Sequence, residues 1–187
     1  MFAIPLGEGA ELRPIEPWQA EEFLDHIERA REYAGPWVPF TARATDVASA
    51  RAVLQTYADK QAADTGRICA IRLDGTLVGG VLFRIFDTAT ESCEVGVWLE
   101  PSAAGRGLVT RACEHIIDWA VEERGMHRVE WLVSSLNQRS ISVAKRLGMT
   151  RDGVLRESFP WQGIRHDMEV WSVLAPEWRE RRTSDGG

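Results

Sequence analysis

Cysteine is scarce in this chain of 187 residues: Cys69, Cys93 and Cys113 make an odd number, without the close spacing of a metal knot or a disulfide framework. That usage predicts a reducing, cytoplasmic setting. Tyrosine is scarcer still, limited to Tyr33 and Tyr57. No apolar run approaches the roughly 18–20 residues that cross a bilayer, so no membrane partner is expected. The opening Met1–Glu8 lacks the basic patch and apolar run of a secretion signal. No period of 20–50 residues recurs, which argues against a solenoid or propeller. Positive charge is in deficit, with 22 Lys and Arg against 28 Asp and Glu and a net charge of -6. A general nucleic-acid binder would show the opposite balance. His26, His115, His127 and His166 have no metal-ligand spacing, and no metal is expected.

What is present suits a globular α/β protein: 44% of residues are hydrophobic and 27% charged. The length fits one domain, drawn over residues 1–178, with 179–187 as a flexible tail. A short strand at Glu11–Ile15 precedes two amphipathic helices. The first opens at Pro17 and carries Trp18, Phe23, Leu24, Ile27 and Ala30; the second is capped by Asp46 and closes near Gly66. The strands Ile68–Leu73 and Leu77–Phe83 flank Asp74-Gly75, a strong hairpin signal. A strand at Glu94–Leu99, a long helix from Leu108 and a strand at Arg128–Val133 follow. Then come a short helix at Ser140–Leu147 and a last pair of strands, Val154–Phe159 and Met168–Leu174, around a turn at Gln162-Gly163. The order reads βααβββαβαββ, a mixed, mostly antiparallel sheet flanked by helices.

The most informative stretch runs from Val97 to Thr110. A strand ends, Ser102-Ala103-Ala104-Gly105-Arg106-Gly107 turns, and a helix begins. Glycines admit close backbone approach, and the free N–H groups of a first helical turn attract phosphate. The Lys-Ser/Thr of a P-loop and the third glycine of a dinucleotide fingerprint are both missing. Charge is also partitioned: residues 102–151 hold eight Lys and Arg against five Asp and Glu, a locally basic segment in an acidic chain. That suits a small polyanion.

These features together resemble the GNAT acetyltransferases, and within them the RimJ/RimL-like group, which acetylates protein N-termini among other amines. The resemblance rests on Glu94–Leu99, Gly105-Arg106-Gly107, Asn137-Gln138-Arg139-Ser140 and Arg146-Leu147-Gly148-Met149, and covers roughly residues 9–174. It implies the GNAT fold and acetyl-CoA as co-substrate. The amides of Gly105, Arg106, Gly107, Leu108, Val109 and Thr110 would hold the pyrophosphate. The backbone of Val97 and Leu99 would pair with the pantetheine arm, and Asn137 would bond its cysteamine end. Ser140 would sit near the thioester sulfur. Ser102 stands where the family has Arg or Gln, which bears on the pyrophosphate contact there.

Amine acetylation needs a neutral amine, a polarised carbonyl and a proton for the leaving thiolate. Glu94, on the strand expected to line the cleft, is the first candidate for a water-linked base; it reads equally as a solvated or salt-bridged strand carboxylate. Glu157 and His166 are further candidates. Many family members use a tyrosine as general acid, but both tyrosines here lie on the N-terminal helices, which leaves Ser140 as the best proton donor. Ser140 reads equally as part of a first helical turn capped by Asn137. Trp37 and Phe40, in a Pro-rich connection, are candidates either for contacting the acceptor or for packing. Of the eight tryptophans, Trp98, Trp119, Trp131 and Trp171 fall in core patterns, and Cys113 reads as a buried helix residue.

The reading is an acetyl-CoA-dependent N-acetyltransferase acting on a protein N-terminus or a small amine. Its alternatives are another acyl group such as succinyl, an amine-bearing antibiotic as acceptor, or a non-catalytic acyl-CoA-binding module. A homodimer is left open.

Overall fold

The computed structural model describes residues 3–185. The chain divides into two compact units: residues up to Arg84 with Val97–Ala112, and Ile85–Gly96 with residues from Cys113 on.

The first unit opens with β1 (Ile4–Gly7) and β2 (Ala10–Pro14), an antiparallel hairpin. A 3-10 turn at Pro17–Gln19 leads into α1 (Ala20–Ala34), then α2 (Pro39–Arg43) and α3 (Val47–Ala62). Asp46 caps α3 as its sequence position predicts, its Oδ1 accepting from the Ser49 N–H at 2.7 Å. Strands β3 (Arg67–Leu73) and β4 (Thr76–Asp87) meet across Asp74 and Gly75, with φ of 49° and 81°. Both angles are positive, as a type I′ turn requires. One core gathers Phe23 and Ile27 of α1, Phe40 of α2, Leu54 of α3 and Leu77 of β4 around Trp98 of β5 (Ser92–Leu99).

The second unit takes over α4 (Leu108–Asp118), which relaxes into a π turn at Trp119–Glu123. It continues with β6 (Arg128–Ser134), α5 (Gln138–Arg146), β7 (Thr150–Trp161), β8 (Ile164–Leu174) and α6 (Ala175–Asp185). Ile116, Ile117, Val121, Val129, Trp131 and Trp178 are buried here. The eight strands hydrogen-bond in the order β1-β2-β3-β4-β5-β6-β8-β7. The β5–β6 ladder is parallel and ends at Glu94↔Glu130, while β6–β8 and β8–β7 are antiparallel. Among the described residues no helix is long and apolar enough to cross a membrane.

The expected α/β architecture of helices on a mixed sheet is present, and the element order gains three members. Strand β1 is only four residues long and one of them is Pro5, so it lacks a readable alternation. Helix α2 is a five-residue turn inside the Pro-rich connection. Helix α6 runs on to Asp185, into the stretch expected as a tail: Trp178, just before that stretch, is fully buried and its indole N–H donates to Asp118 Oδ1 at 2.7 Å. Arg179 pairs with Glu122 and Arg182 with Asp118, each at 2.9 Å. The charged run after Trp178 lacks the apolar stripe that would have marked a helix there. Residues 186–187 of that tail lie outside the described residues. Trp98, Trp131 and Trp171 are buried as expected, whereas Trp119 is half-buried beneath the Arg124 guanidinium, 5.0 Å from its ring.

Candidate active site

The small-residue turn lies wholly in the first unit. Pro101–Ala103 form a single 3-10 turn, with Ala103 fully buried, and Leu108 at the head of α4 is also buried. Between those anchors Ala104, Gly105, Arg106 and Gly107 are exposed. Gly105 and Gly107 have φ of 80° and 69°, a backbone region that side chains other than glycine rarely adopt. The Arg111 N–H bonds back to the Gly107 carbonyl at 3.0 Å and closes the first turn of α4. The amides of Leu108 and Val109 belong to that opening turn, where N–H groups have no carbonyl four residues back within the helix, and Thr110 follows them. Arg111 itself escaped the sequence reading. Its Nε and Nη2 are buried without a hydrogen-bond partner, and its Nη1 lies 3.1 Å from where a Cβ on Gly107 would stand. A guanidinium with partnerless buried donors beneath an exposed glycine turn suits a bound anion.

The residue before this turn is Glu100, buried at 5% exposure. Its Oε1 accepts from Arg29 Nε at 2.9 Å and lies 2.6 Å from His26 Nδ1. Ser102, at the position of the family's Arg or Gln, donates its hydroxyl to Glu100 Oε2 at 3.2 Å. Trp98 donates its indole N–H to His26 Nε2 at 2.8 Å. An indole nitrogen only donates, so His26 Nε2 accepts and Nδ1 carries the proton given to Glu100. Burial pushes His26 below its ordinary 6.5, and Glu100 opposes that shift. Burial would raise Glu100, but the hydrogen bonds from Arg29 and His26 outweigh it and hold the carboxyl below its ordinary 4.5. His26 falls on the apolar stripe of Phe23, Ile27 and Ala30 in α1, and that placement was the available signal.

In the same unit Val97 and Leu99 alternate with the buried Trp98 along β5. Gly80 of β4 is bare because a Cβ there would collide with the Trp98 ring. Trp37 is half-buried. Phe40 is a core residue, 7% exposed, with its ring edge-on to Trp98 at 5.2 Å and tilted against Phe23 at 5.9 Å.

The second unit carries the other candidates. Asn137 caps α5, its Oδ1 accepting from the Ser140 N–H at 3.2 Å, which leaves its amide donors for a ligand. The Ser140 Oγ accepts from the Trp131 indole N–H at 3.0 Å, so the hydroxyl keeps its own hydrogen to give elsewhere. Glu94 is 5% exposed, which removes the solvated reading, and it stands beside Glu130 in the parallel ladder. His166 is buried with its Nδ1 2.8 Å from Ser134 Oγ, whereas Glu157 is exposed in an irregular stretch of β7 with φ of 51°. All three cysteines are buried. Burial pushes Cys69 up to about 11 and Cys93 up to about 12, and raises Cys113 as well. None is a ready nucleophile.

The profile of the Acetyltransferase (GNAT) domain matches residues 10–150, three quarters of the chain. The chain belongs to the GNAT acetyltransferase family. This GNAT protein is 28% identical over 179 residues to YdaF of Bacillus subtilis (strain 168), provisionally named a ribosomal N-acetyltransferase; the alignment covers 95% of this chain and 98% of YdaF. In fold it is similar to RimL, the ribosomal L7/L12 α-N-protein acetyltransferase solved with coenzyme A. That match has a TM-score of 0.87 at 17% identity, covering 92% of this chain and 97% of RimL. It is also similar to the ribosomal-protein-S5-alanine acetyltransferase of Vibrio fischeri, with a TM-score of 0.86 at 19% identity and coverage of 95% and 99%. As a GNAT member the protein is an N-acetyltransferase.

Proposed function

We propose that this GNAT protein moves the acetyl group of acetyl-CoA to a primary α-amine, on a protein N-terminus or a small molecule, by direct attack. The observation that carries the reading is the exposed Gly105–Gly107 turn at the head of α4, above the partnerless buried donors of Arg111. Backbone N–H groups and a helix N-terminus attract a pyrophosphate, and a fixed cation nearby adds to that attraction. The Leu108, Val109 and Thr110 amides would hold the pyrophosphate. The β6 ladder ends at Glu94, and the main chain of Val97 and Leu99 beyond it would take the pantetheine arm as one more strand.

Acetyl-CoA supplies the activated acyl carbon. The neutral amine nitrogen attacks that carbon, the C–S bond breaks, and the thiolate takes a proton as it leaves. Ser140 is the proposed donor, supported by the Trp131 bond that occupies its lone pair and frees its hydrogen. Asn137, held by its cap, would bond the cysteamine amide through its side-chain N–H groups. Glu94 would receive the proton of the amine through water. Steady release of coenzyme A thiol from acetyl-CoA in the presence of an amine panel, with product masses 42 Da heavier by mass spectrometry (roughly one acetyl for one proton), is the expected result. Coenzyme A binding without thiol release under any amine would leave only an acyl-CoA-binding module.

A further inference from the structure

The buried polar network on α1 is costly in a place where apolar packing would serve stability as well. Replacing a buried ion pair by hydrophobic groups of similar size is often neutral or stabilising. His26 interrupts the apolar stripe of Phe23, Ile27 and Ala30, and Glu100 is buried with it. What the network fixes is position. The Glu100 N–H donates to the Val78 carbonyl at 2.7 Å, and its own carbonyl accepts from the Ala103 N–H at 3.2 Å. Its carboxylate is gripped from α1 by both His26 and Arg29, and from the turn by Ser102. Arg29 also reaches the Leu77 carbonyl at 2.9 Å, so one guanidinium ties β4 to Glu100. The Ala104 N–H returns to the Pro101 carbonyl at 3.1 Å. From Glu100 to Ala104 every step is therefore tied down, and the remaining link to α4 is Gly105-Arg106-Gly107. The distance from the end of β5 to the opening amides of α4 is set where Glu100 is held.

We infer that Arg29 and His26 of α1 are positioning residues for coenzyme A: through Glu100 they set the turn whose amides receive the pyrophosphate. The inference rests on the proposed function, since it concerns the same turn. Neither residue is among those proposed to hold the coenzyme. They act on the geometry of donors that must meet a fixed anion, where small misplacements weaken several hydrogen bonds together.

The test uses the intact chain and coenzyme A itself, by titration calorimetry, together with steady-state kinetics. Arg29→Met keeps the stem of a side chain that is 45% exposed and removes its donors, so the variant is expected to fold. It should weaken coenzyme A binding by about 5- to 100-fold, the usual range of coupling between sites. KM for acetyl-CoA should rise in step, with kcat at saturating acetyl-CoA within about twofold of the parent. Arg29→Lys should recover part of the loss, because it restores a cation without the planar fork. Glu100→Gln should match Arg29→Met or exceed it. Coenzyme A affinity within about twofold of the parent in folded Arg29→Met, even with a lowered melting temperature, overturns the inference, because the network would then be structural only. A fall in kcat with KM unchanged overturns it as well. A parent that binds no coenzyme A overturns the proposed function and this inference with it, an outcome visible before any variant is made.

Discussion

Gly107 meets two demands at one position, a left-handed backbone and a bare surface beside Arg111. Gly107→Glu strains the backbone, at about 1–2 kcal/mol of stability, and places a carboxylate where it pairs with Arg111 in place of the coenzyme. Calorimetry should show coenzyme A affinity lowered about tenfold or more, with the protein still folded. Ser140→Ala should lower kcat about 100-fold while leaving acetyl-CoA affinity near that of the parent; an unchanged kcat would leave Ser140 only its place in the first turn of α5. At this scale the sequence is readable where a residue's type dictates its task. Gly107, Asp46 and Asn137 stand where turns and caps require them. Phe40 and His26 are not readable in the same way, because a ring in a connection and a histidine on a stripe gain meaning only from Trp98, dozens of residues away in the chain.

Helices α1, α3 and α4 were legible from apolar residues recurring at helical spacing, and β3 and β4 from near-continuous apolar runs, buried almost throughout, on either side of Asp74-Gly75. Strand β1 and helix α2 were not, because four residues that include Pro5 and five residues that begin with Pro39 hold too few repeats to show a pattern. Helix α6 hid behind its charge. Its hold is nonetheless measurable: Trp178→Ala should cost about 3–5 kcal/mol in urea unfolding. Ending the chain after Trp178 removes the ion pairs of Arg179 and Arg182, at about 1 kcal/mol or less each, together with the half-buried Arg181 beside Gly148, and should cost less than the loss of Trp178 itself. Helix α1 makes a different prediction, in pH. His26 has a lowered value in the folded chain, so the unfolded chain binds that proton first as pH falls below 6.5. Stability is fully present above that point and is lost on acidification, by at most about 1.4 kcal/mol per pH unit for one proton. Glu100, Glu22 and Asp152 are held low as well and add a second loss below about 4.5. Denaturation across a pH series should show two slopes, and His26→Gln should flatten the upper one and, by removing the imidazole that helps hold Glu100 low, lessen the lower one.

At the scale of the molecule the proposed reaction makes a prediction about the acceptor from proton affinity. Removing a proton at pH 7 costs roughly 1 kcal/mol for an α-amine and about 4.6 kcal/mol for a lysine, from their reference values. Glu94 is proposed to reach the amine only through water and Glu157 is exposed on an irregular strand, so the acceptor that sheds its proton more easily is favoured. Of two matched peptides, the one offering only a free N-terminus should be acetylated faster near pH 7 than the one offering only a lysine, with rates rising through the acceptor's own pKa. Faster acetylation of the lysine peptide would require a base stronger than these carboxylates. The turn proposed for the coenzyme could be singled out because it is contiguous in sequence. For the acceptor no comparable local motif exists in the sequence.

The three sequestered thiols make the enzyme silent in the assay that its reaction invites. Cys69, Cys93 and Cys113 are buried and poorly ionised near neutral pH, so a colorimetric disulfide reagent added to a native reaction should register released coenzyme alone. The same reagent in denaturant should count all three, which turns the protein's own sulfurs into a clock for its global opening.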